Sequence, residues 1–372
     1  MQNRDKEPHH QHHKPRRRTH SMYSLYKHIL TALIVTTLFT GGQVAHAQTA
    51  MMAGTGQPDP VQYTVAPQVP GPNQQVSIFV DGVGSFLGNS TVTWQKNGVV
   101  VSSGIGKNSY TFTTGGIGQV TVIHLNIDSS VQGTISHDFV FNPSLVSLVW
   151  EAGTTAPPFY LGKPLYSAGS SAKVVAFPTI LSNGALVQND ALSFQWKLND
   201  TLDPSQSGTG KNTFTFIGDE LQTSEEVSVA IYQGNTEVGY GDVVLPVSSP
   251  LVVVYDQDPL RGEVLDQGLT VSATLNDKEV TLKAEPYYFS TASRANGALQ
   301  YTWTLNGSEV TGPSSAKGLL TLRQTSSGAG EAQVDVSLQN TNDDTFMQAA
   351  QTGLDLTFGT ATGSALSNFF GL

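Results

Sequence analysis

A tryptophan followed three residues later by Asn-Gly or Asn-Asp occurs three times in this chain. The copies read W-Q-K-N-G at 94–98, W-K-L-N-D at 196–200 and W-T-L-N-G at 303–307. The tryptophans lie 102 and 107 residues apart, which is the size of one small β-sandwich domain. The spacing predicts three tandem sandwich repeats, with Trp94, Trp196 and Trp303 as structural core residues.

The residues around each tryptophan alternate between apolar and polar, as in a strand with one buried face. The Asn-Gly or Asn-Asp that follows favours a tight hairpin turn, because these residues tolerate positive φ. Further along each repeat, two more apolar pairs predict two more strands. The pairs are Tyr110/Phe112, Phe214/Phe216 and Leu320/Leu322 for the first strand, and Val120/Val122, Val227/Val229 and Val334/Val336 for the second. No long window has a helical period, so the sequence predicts an all-β fold.

Proline-containing junctions at Pro143 and at Ser248-Ser249-Pro250 predict domain boundaries near residues 144 and 249. We expect repeat 1 at 74–143, repeat 2 at 144–248 and repeat 3 at 249–358. Repeats 2 and 3 share a front half before the tryptophan strand. Residues 48–73, rich in Gly and Pro, are expected to form a flexible spacer. The tail at 359–372 ends in an apolar segment, interpreted as a disordered end or, alternatively, a docking peptide.

Residues 1–47 have the pattern of a secretory signal. Basic residues, among them Arg16–Arg18 and Lys27, precede an apolar run from Ile29 to Phe39, and Ala45-His46-Ala47 follows. A basic region, a short apolar run and an A-x-A site predict cleavage before Gln48. The run is too short to span a bilayer comfortably, which takes roughly 20 residues. An uncleaved signal anchor is the alternative, and it would be the one attachment to a membrane.

Charge and cysteine content exclude several function classes. Residues 1–47 hold seven Lys/Arg and two Asp/Glu, so 12 basic and 27 acidic residues remain beyond them, a net charge of −15. Such an acidic chain is repelled by nucleic acid and by anionic membrane surfaces. The chain has no cysteine, so an exported protein of this sequence depends on its hydrophobic cores, without disulfides or thiol chemistry.

The W-x-x-N-G turn and the later β-branched strand resemble the PKD-like and immunoglobulin-like domains repeated in uncharacterised exported surface proteins of bacteria. The resemblance covers roughly residues 74–358. It implies a β-sandwich fold and an extracellular location. The copies lack the Phe-Gly-Asp of a PKD turn, and the disulfide and tyrosine corner of immunoglobulin domains are also missing. No binding residue is therefore implied.

The sequence offers little for catalysis. Beyond residue 47 it contains two histidines, His124 and His137. Because His124 aligns with Ile231 and Leu338 of the other repeats, we expect it to be packed inside a strand, and we expect His137 on the surface. Neither fits a Ser-His-Asp arrangement. Carboxylates are frequent enough that pairs of them carry no signal for a glycosidase. We expect no enzymatic activity.

Calcium is the one possible cofactor. Asp256 and Asp258 follow the second domain junction, and Asp343 and Asp344 lie in a late loop of repeat 3. Carboxylate oxygens at an interdomain hinge suit Ca²⁺. No spacing matches an established calcium loop, and the alternative is that these residues make ordinary turns.

Tyr287, Tyr288 and Phe289 form the one run of consecutive aromatic residues and are candidate ligand-binding residues. If exposed, they can stack on sugar rings or anchor a partner protein. The alternative is that they pack between domains or in a strand buried on both sides.

These observations predict an exported, non-catalytic structural or adhesive protein of the bacterial cell surface, periplasm or extracellular space. Its expected partner is a protein or polysaccharide surface, and it is not expected to bind nucleic acid. The alternatives are a carbohydrate- or cell-wall-binding module, or an envelope or pilus assembly factor that docks through strand edges.

Overall fold

The computed structural model describes residues 61–82, 86–218, 221–269, 271–275, 279–325, 330–342 and 348–358. In these residues almost all regular structure is β-strand; the exceptions are one short helix, α1 (Thr291–Ala295), and three 3-10 turns. The prediction of an all-β chain of tandem sandwiches is confirmed. The signal segment and the C-terminal tail lie outside the described residues.

The described residues of repeat 1 form seven strands in two sheets. In chain order they are β1 (Val61–Ala66), β2 (Gln75–Gly82), β3 (Thr91–Lys96), β4 (Val99–Ile105), β5 (Ser109–Thr113), β6 (Thr121–Ser129) and β7 (Gly133–Phe141). One sheet has the order β1-β2-β5 and the other β4-β3-β6-β7. The sheet of β1, β2 and β5 lies opposite the sheet that contains β3, β6 and β7, with the tryptophan on β3. This arrangement is immunoglobulin-like.

Repeat 2 has the same plan with extra short strands. They are β8 (Leu145–Ala152), β9 (Ser171–Thr179), β10 (Leu181–Ser182), β11 (Ala185–Leu186), β12 (Ser193–Leu198), β13 (Thr201–Leu202), β14 (Gly208–Thr209), β15 (Thr213–Ile217), β16 (Ser224–Gln233) and β17 (Thr236–Pro246). The sheets are β15-β9-β8 and β13-β12-β16-β17, with β14 also paired to β12. Strands β10 and β11 form a separate hairpin.

Repeat 3 adds strands at two sheet edges. Its strands are β18 (Leu251–Asp258), β19 (Gly262–Leu269), β20 (Ser272–Leu275), β21 (Glu279–Tyr287), β22 (Leu299–Leu305), β23 (Ser308–Val310), β24 (Leu319–Arg323), β25 (Gly330–Asn340) and β26 (Ala349–Phe358). The sheets are β19-β18-β21-β24 and β20-β26-β25-β22-β23, in which β20 runs parallel to β26.

Each repeat has its own hydrophobic core, and each core contains one of the three tryptophans at 0% exposure. The indole N–H of Trp94 donates to the carbonyl of Lys107 at 2.7 Å, and that of Trp196 to the carbonyl of Lys211 at 2.8 Å. Trp303 has no such partner among the described residues. Repeats 1 and 2 share a G-x-G-K-N loop, at residues 104–108 and 208–212. The lysine carbonyl of this loop accepts the hydrogen bond from the buried indole.

The asparagine of the repeated motif connects the hairpin turn by hydrogen bonds to the strand that pairs with the tryptophan strand, which is β6, β16 or β25. Asn97, Asn199 and Asn306 have φ values of 50°, 48° and 50°. Their side-chain Oδ1 atoms accept hydrogen bonds of 2.9 Å from the backbone N–H groups of Val122, Glu226 and Gln333. Each asparagine N–H also donates to the carbonyl of the same residue at 2.8 Å. The motif is thus a cross-strand connection as well as a turn.

Two expectations about repeat 1 are wrong. Strand β1 pairs along its full length with β2, so residues 61–66 belong to the sandwich, although the whole of 48–73 was expected to be a flexible spacer. Repeat 1 therefore has the front strand that seemed restricted to repeats 2 and 3. In β6, Leu125 pairs with Trp94 as Val229 pairs with Trp196. The pair Val120/Val122, from which this strand was predicted, is therefore not the core-facing set. The core-facing residues are Ile123, Leu125 and Ile127, and Val120 is exposed.

Candidate functional site

The aromatic run at the end of β21 is buried where repeat 3 meets repeat 2. Tyr287, Tyr288 and Phe289 are 3%, 6% and 2% exposed. The hydroxyl of Tyr287 donates to that of Tyr255 at 3.1 Å, and the two rings pack edge to face. The exposure that a ligand-binding role for these rings requires is therefore not found, and the alternative of burial is. Tyr287 and Tyr288 pack between the domains, against Ala156 and Leu165 of repeat 2 among others, whereas Phe289 packs inside repeat 3.

Backbone hydrogen bonds join the same segment to the front loop of repeat 2. The N–H of Tyr288 donates to the carbonyl of Thr155 at 2.8 Å, and the N–H of Thr291 donates to the carbonyl of Gly153 at 2.9 Å. The Ser167 hydroxyl donates to the carbonyl of Tyr288 at 2.5 Å. These bonds satisfy main-chain groups that burial at the junction removes from water.

Gln348 completes this junction from the other sheet of repeat 3. It is 5% exposed. Its Nε2 donates at 2.8 Å both to the hydroxyl of Ser167 and to the carbonyl of Ala168, while its Oε1 accepts from the N–H of Ser290 at 3.0 Å. One side chain therefore connects both sandwiches.

Asp258, from the first pair of calcium candidates, makes hydrogen bonds within a turn. Oδ1 of Asp258 accepts from the N–H groups of Leu260 and Arg261, each at 2.8 Å, and Oδ2 lies 3.1 Å from Nη2 of Arg261. These backbone N–H groups, and then the guanidinium, hold the pKa of the Asp258 carboxyl below its usual value. Asp343 and Asp344 lie outside the described residues. Among the residues that are described, no group of three or more acidic or histidine side chains could hold a metal ion.

The two histidines are both half-buried, and each lies on the sheet face opposite to the one expected. His124 is on the outer face of β6, where Nδ1 lies 2.6 Å from Oδ1 of Asp138 on β7. His137 is half-buried and stacks on Tyr63 with ring centroids 4.5 Å apart. For His124 the reason is the register of β6, in which Ile127, and not His124, occupies the position of Ile231.

A groove of about 820 Å³ lies between repeats 1 and 2. Its floor is the outer face of the sheet formed by β12, β16 and β17. One wall is the segment of repeat 1 that connects β1 to β2, and the start of β8 closes one end. The residues that carry its chemistry are Gln74, Gln75, Gln195, Lys197, Glu226, Ser228, Tyr232, Glu237, Tyr240 and Asp242.

The repeats meet at this groove through a short linker. Strand β7 ends at Phe141 and β8 begins at Leu145. Nδ2 of Asn142 donates to the carbonyl of Leu181 at 2.8 Å. Gly118, at φ 73°, lies so near Leu181 that a Cβ there would be 2.7 Å from its Cδ1. The close approach holds repeat 1 beside repeat 2.

Two half-buried tyrosines define the floor of the groove. Burial raises the pKa of Tyr240, the hydrogen bond from Ser228 opposes this, and the charge of Asp242 adds to it. Burial also raises the pKa of Tyr232, and Glu237, whose Oε2 lies 3.5 Å from the Tyr232 hydroxyl, raises it further. Both phenols are therefore neutral hydrogen-bonding groups at physiological pH, each beside a carboxylate.

The groove between repeats 1 and 2 was not predicted from the sequence. Tyr232 and Tyr240 belong to strands that alternate in the ordinary way, and strand pairing places Tyr240 beside Ala230 on the outer face. The sequence feature that could have predicted the outward direction of these tyrosines is their position in the alternation of buried and exposed residues along the strand. Tyr232 is an odd number of residues from Val229 and Ile231, which are buried, so it faces away from the core.

No family model matches this sequence, and no curated protein matches it. Among solved structures, the three N-terminal domains of the highly immunogenic outer capsid protein of bacteriophage RB49 are 13% identical, covering 80% of this chain and 97% of that one, with a TM-score of 0.24. The central fibronectin-III array of RIM-binding protein is 12% identical, covering 83% and 96%, with a TM-score of 0.24.

A third similar structure is the SGBP-B protein of the Bacteroides ovatus mixed-linkage glucan utilization locus, in complex with a heptasaccharide. It is 11% identical, covering 85% of this chain and 72% of that one, with a TM-score of 0.22. At TM-scores this low the similarities carry no argument, and the fold class rests on the strand order. Within the described part of the chain, no helix is long and apolar enough to cross a membrane.

Proposed function

We propose that this protein is an exported, non-catalytic structural or adhesive protein of the bacterial cell surface, in which the tandem sandwiches form a stiff projecting unit. The observation that carries the proposal is the junction between repeats 2 and 3. Buried tyrosines and the Gln348 hydrogen bonds join the two sandwiches directly. A chain that served only as a flexible tether would not need such a junction.

The features of the sequence agree with this role. The basic, apolar and small-residue pattern of residues 1–47 is that of an export signal. The absence of cysteine leaves each sandwich to be stabilised by its own core, with a buried tryptophan in each. The excess of acidic residues favours solubility and disfavours nucleic-acid partners.

Expression of the chain with its own N-terminus in a bacterial host tests the location. We expect the intact mass either to begin at Gln48, in the periplasmic or secreted fraction, or to retain the whole N-terminus in the membrane fraction with the repeats accessible to protease from outside. Uncleaved protein in the cytoplasm contradicts export. Small-angle scattering of the purified chain tests stiffness, and a profile typical of freely jointed domains contradicts the structural role.

A further inference from the structure

We propose that the groove between repeats 1 and 2 binds a chain of an uncharged polysaccharide. The inference deepens the proposed adhesive role by giving its surface a ligand class, and it rests on that role only for the location of the protein. The three repeats share the same outer sheet face, so residues at matching positions of this face can be compared between repeats.

The tyrosines of the floor are specific to repeat 2. The position of Tyr232, three residues after the partner of the core tryptophan, is Asp128 in repeat 1 and Gln339 in repeat 3. The position of Tyr240 is Ser136 in repeat 1 and Gln351 in repeat 3. Outer faces of this fold therefore do not need aromatic side chains for stability, and the pair in repeat 2 requires another explanation.

The wall of the groove is also specific to this place. The matching face of repeat 3 holds a smaller depression of about 420 Å³, lined by residues of repeat 3 alone. At repeat 2, the β1–β2 connection of repeat 1 enlarges the space to about 820 Å³. This volume is in the range of sites that enclose most of a small ligand. The aromatic floor and the added wall occur at the same repeat.

The groups in the groove suit a neutral carbohydrate. A sugar ring has an apolar C–H face that packs on a tyrosine ring, and an edge of hydroxyls that both donate and accept hydrogen bonds. The floor offers Tyr232 and Tyr240 for the first, and Gln195, Ser228 and Asp242 for the second. Carboxylates and side-chain amides can each contact two neighbouring hydroxyls.

The charge of the groove decides against anionic ligands. Among the described residues that line it, Lys197 is the one basic side chain, against Glu226, Glu237 and Asp242. A phosphate-bearing polymer, a sulfated or carboxylated glycan or a nucleic acid would meet a net negative surface. A basic peptide meets favourable charge, but charge alone gives no role to the paired tyrosines that distinguish repeat 2, so the neutral glycan is favoured.

Affinity electrophoresis of the purified full-length chain tests the proposal. The probes are soluble neutral polysaccharides with different linkages (a β-glucan, an α-glucan, a mannan, a galactan and a xylan), with oligolysine as the cationic alternative. We expect retardation by at least one neutral polysaccharide. Tyr240→Ala should weaken it about tenfold or more, since it removes a central aromatic contact. Gln351→Ala, at the matching position of repeat 3, should leave it unchanged.

Two further variants separate binding from folding. Tyr240→Phe keeps the ring and should retain most of the retardation, whereas Asp242→Asn should weaken it less than Tyr240→Ala. Circular dichroism of each variant confirms that the sandwich is folded. The proposal is overturned if no neutral polysaccharide retards the wild-type chain, if Tyr232→Ala/Tyr240→Ala retains full retardation, or if oligolysine alone binds in the groove. Since the assay uses purified protein, these outcomes leave the export proposal unaffected.

Discussion

The indole N–H of Trp196 donates a hydrogen bond to the carbonyl oxygen of Lys211 at 2.8 Å. In repeat 3 the loop of that sequence is absent, and the indole N–H of Trp303 is buried without a partner among the described residues. Both rings are fully buried. The two positions therefore share the packing of the tryptophan and differ in whether its polar atom is satisfied.

This difference predicts unequal effects of one substitution. Trp196→Phe removes a hydrogen bond as well as ring volume, whereas Trp303→Phe removes ring volume and an unsatisfied donor. We expect Trp196→Phe to be the more destabilising by about 1–3 kcal/mol. Calorimetry of the full chain, with the transitions of the repeats resolved, measures it. Equal losses would show that the Lys211 hydrogen bond adds nothing to stability.

The asparagine of the repeated motif gives a second prediction. Asn306→Ala loses the hydrogen bond from the N–H of Gln333, and it places at φ 50° a residue without the polar side chain that lets asparagine adopt this conformation. We expect a cost of about 1–2 kcal/mol in the stability of repeat 3. Asn306→Asp keeps the acceptor oxygen and Asn306→Gly keeps the turn, so both should be milder. Urea unfolding measures the series, and a glycine variant as stable as wild type would exclude the side-chain contribution.

These asparagines show what the sequence could and could not predict. The turn was predictable, because Asn-Gly and positive φ are linked locally. The hydrogen bond to a strand 25 residues away in repeat 1 was not, since it depends on pairing register. At the start of β6, Val120 and Val122 are two residues apart, whereas Ile123, Leu125 and Ile127 follow the other alternation. Periodicity cannot choose between two such runs, and a shift by one residue reverses the faces.

The candidate sites were predicted less well for the same reason. A run of three aromatic residues, such as Tyr287–Phe289, has no local feature that distinguishes an exposed patch from a domain interface. Its burial comes from partners more than a hundred residues away, including the carbonyl of Thr155 and the hydroxyl of Ser167. The groove likewise needs two repeats to form, so no single segment indicates it.

Gln348 allows a direct test of the junction between repeats 2 and 3. Gln348→Ala leaves the carbonyl of Ala168 and the N–H of Ser290 without this partner, at a cost of about 2–4 kcal/mol. We expect faster hydrogen exchange at Ser290 and Tyr288 and a wider range of interdomain distances in small-angle scattering. Gln339→Ala, on an exposed position of β25, is the matched control and should change neither. Unaltered exchange in Gln348→Ala would mean that the tyrosine cluster alone maintains the junction.

The buried phenol of Tyr166 predicts how the stability of repeat 2 depends on pH. Burial, reinforced by the charge of Glu225, raises the pKa of Tyr166 to about 12, although the N–H of Gly218 donates to its oxygen. In the unfolded chain the phenol has its ordinary pKa of 10.0. Between these two values the unfolded state releases the proton and the folded state keeps it, so stability falls as pH rises.

The contribution of Tyr166 to the free energy of unfolding is constant below the unfolded pKa. Above that pKa the free energy of unfolding falls by about 1.4 kcal/mol for each pH unit, and the fall ends near the folded pKa. Tyr166→Phe should be less stable than wild type at neutral pH, because Gly218 loses its acceptor, but its stability should fall less steeply in alkali. The two curves therefore converge as pH rises. Urea midpoints of the repeat 2 transition at a series of alkaline pH values measure this, with Tyr160→Phe, at an exposed position, as the control. Parallel curves for wild type and Tyr166→Phe would show that Tyr166 does not carry the alkaline sensitivity.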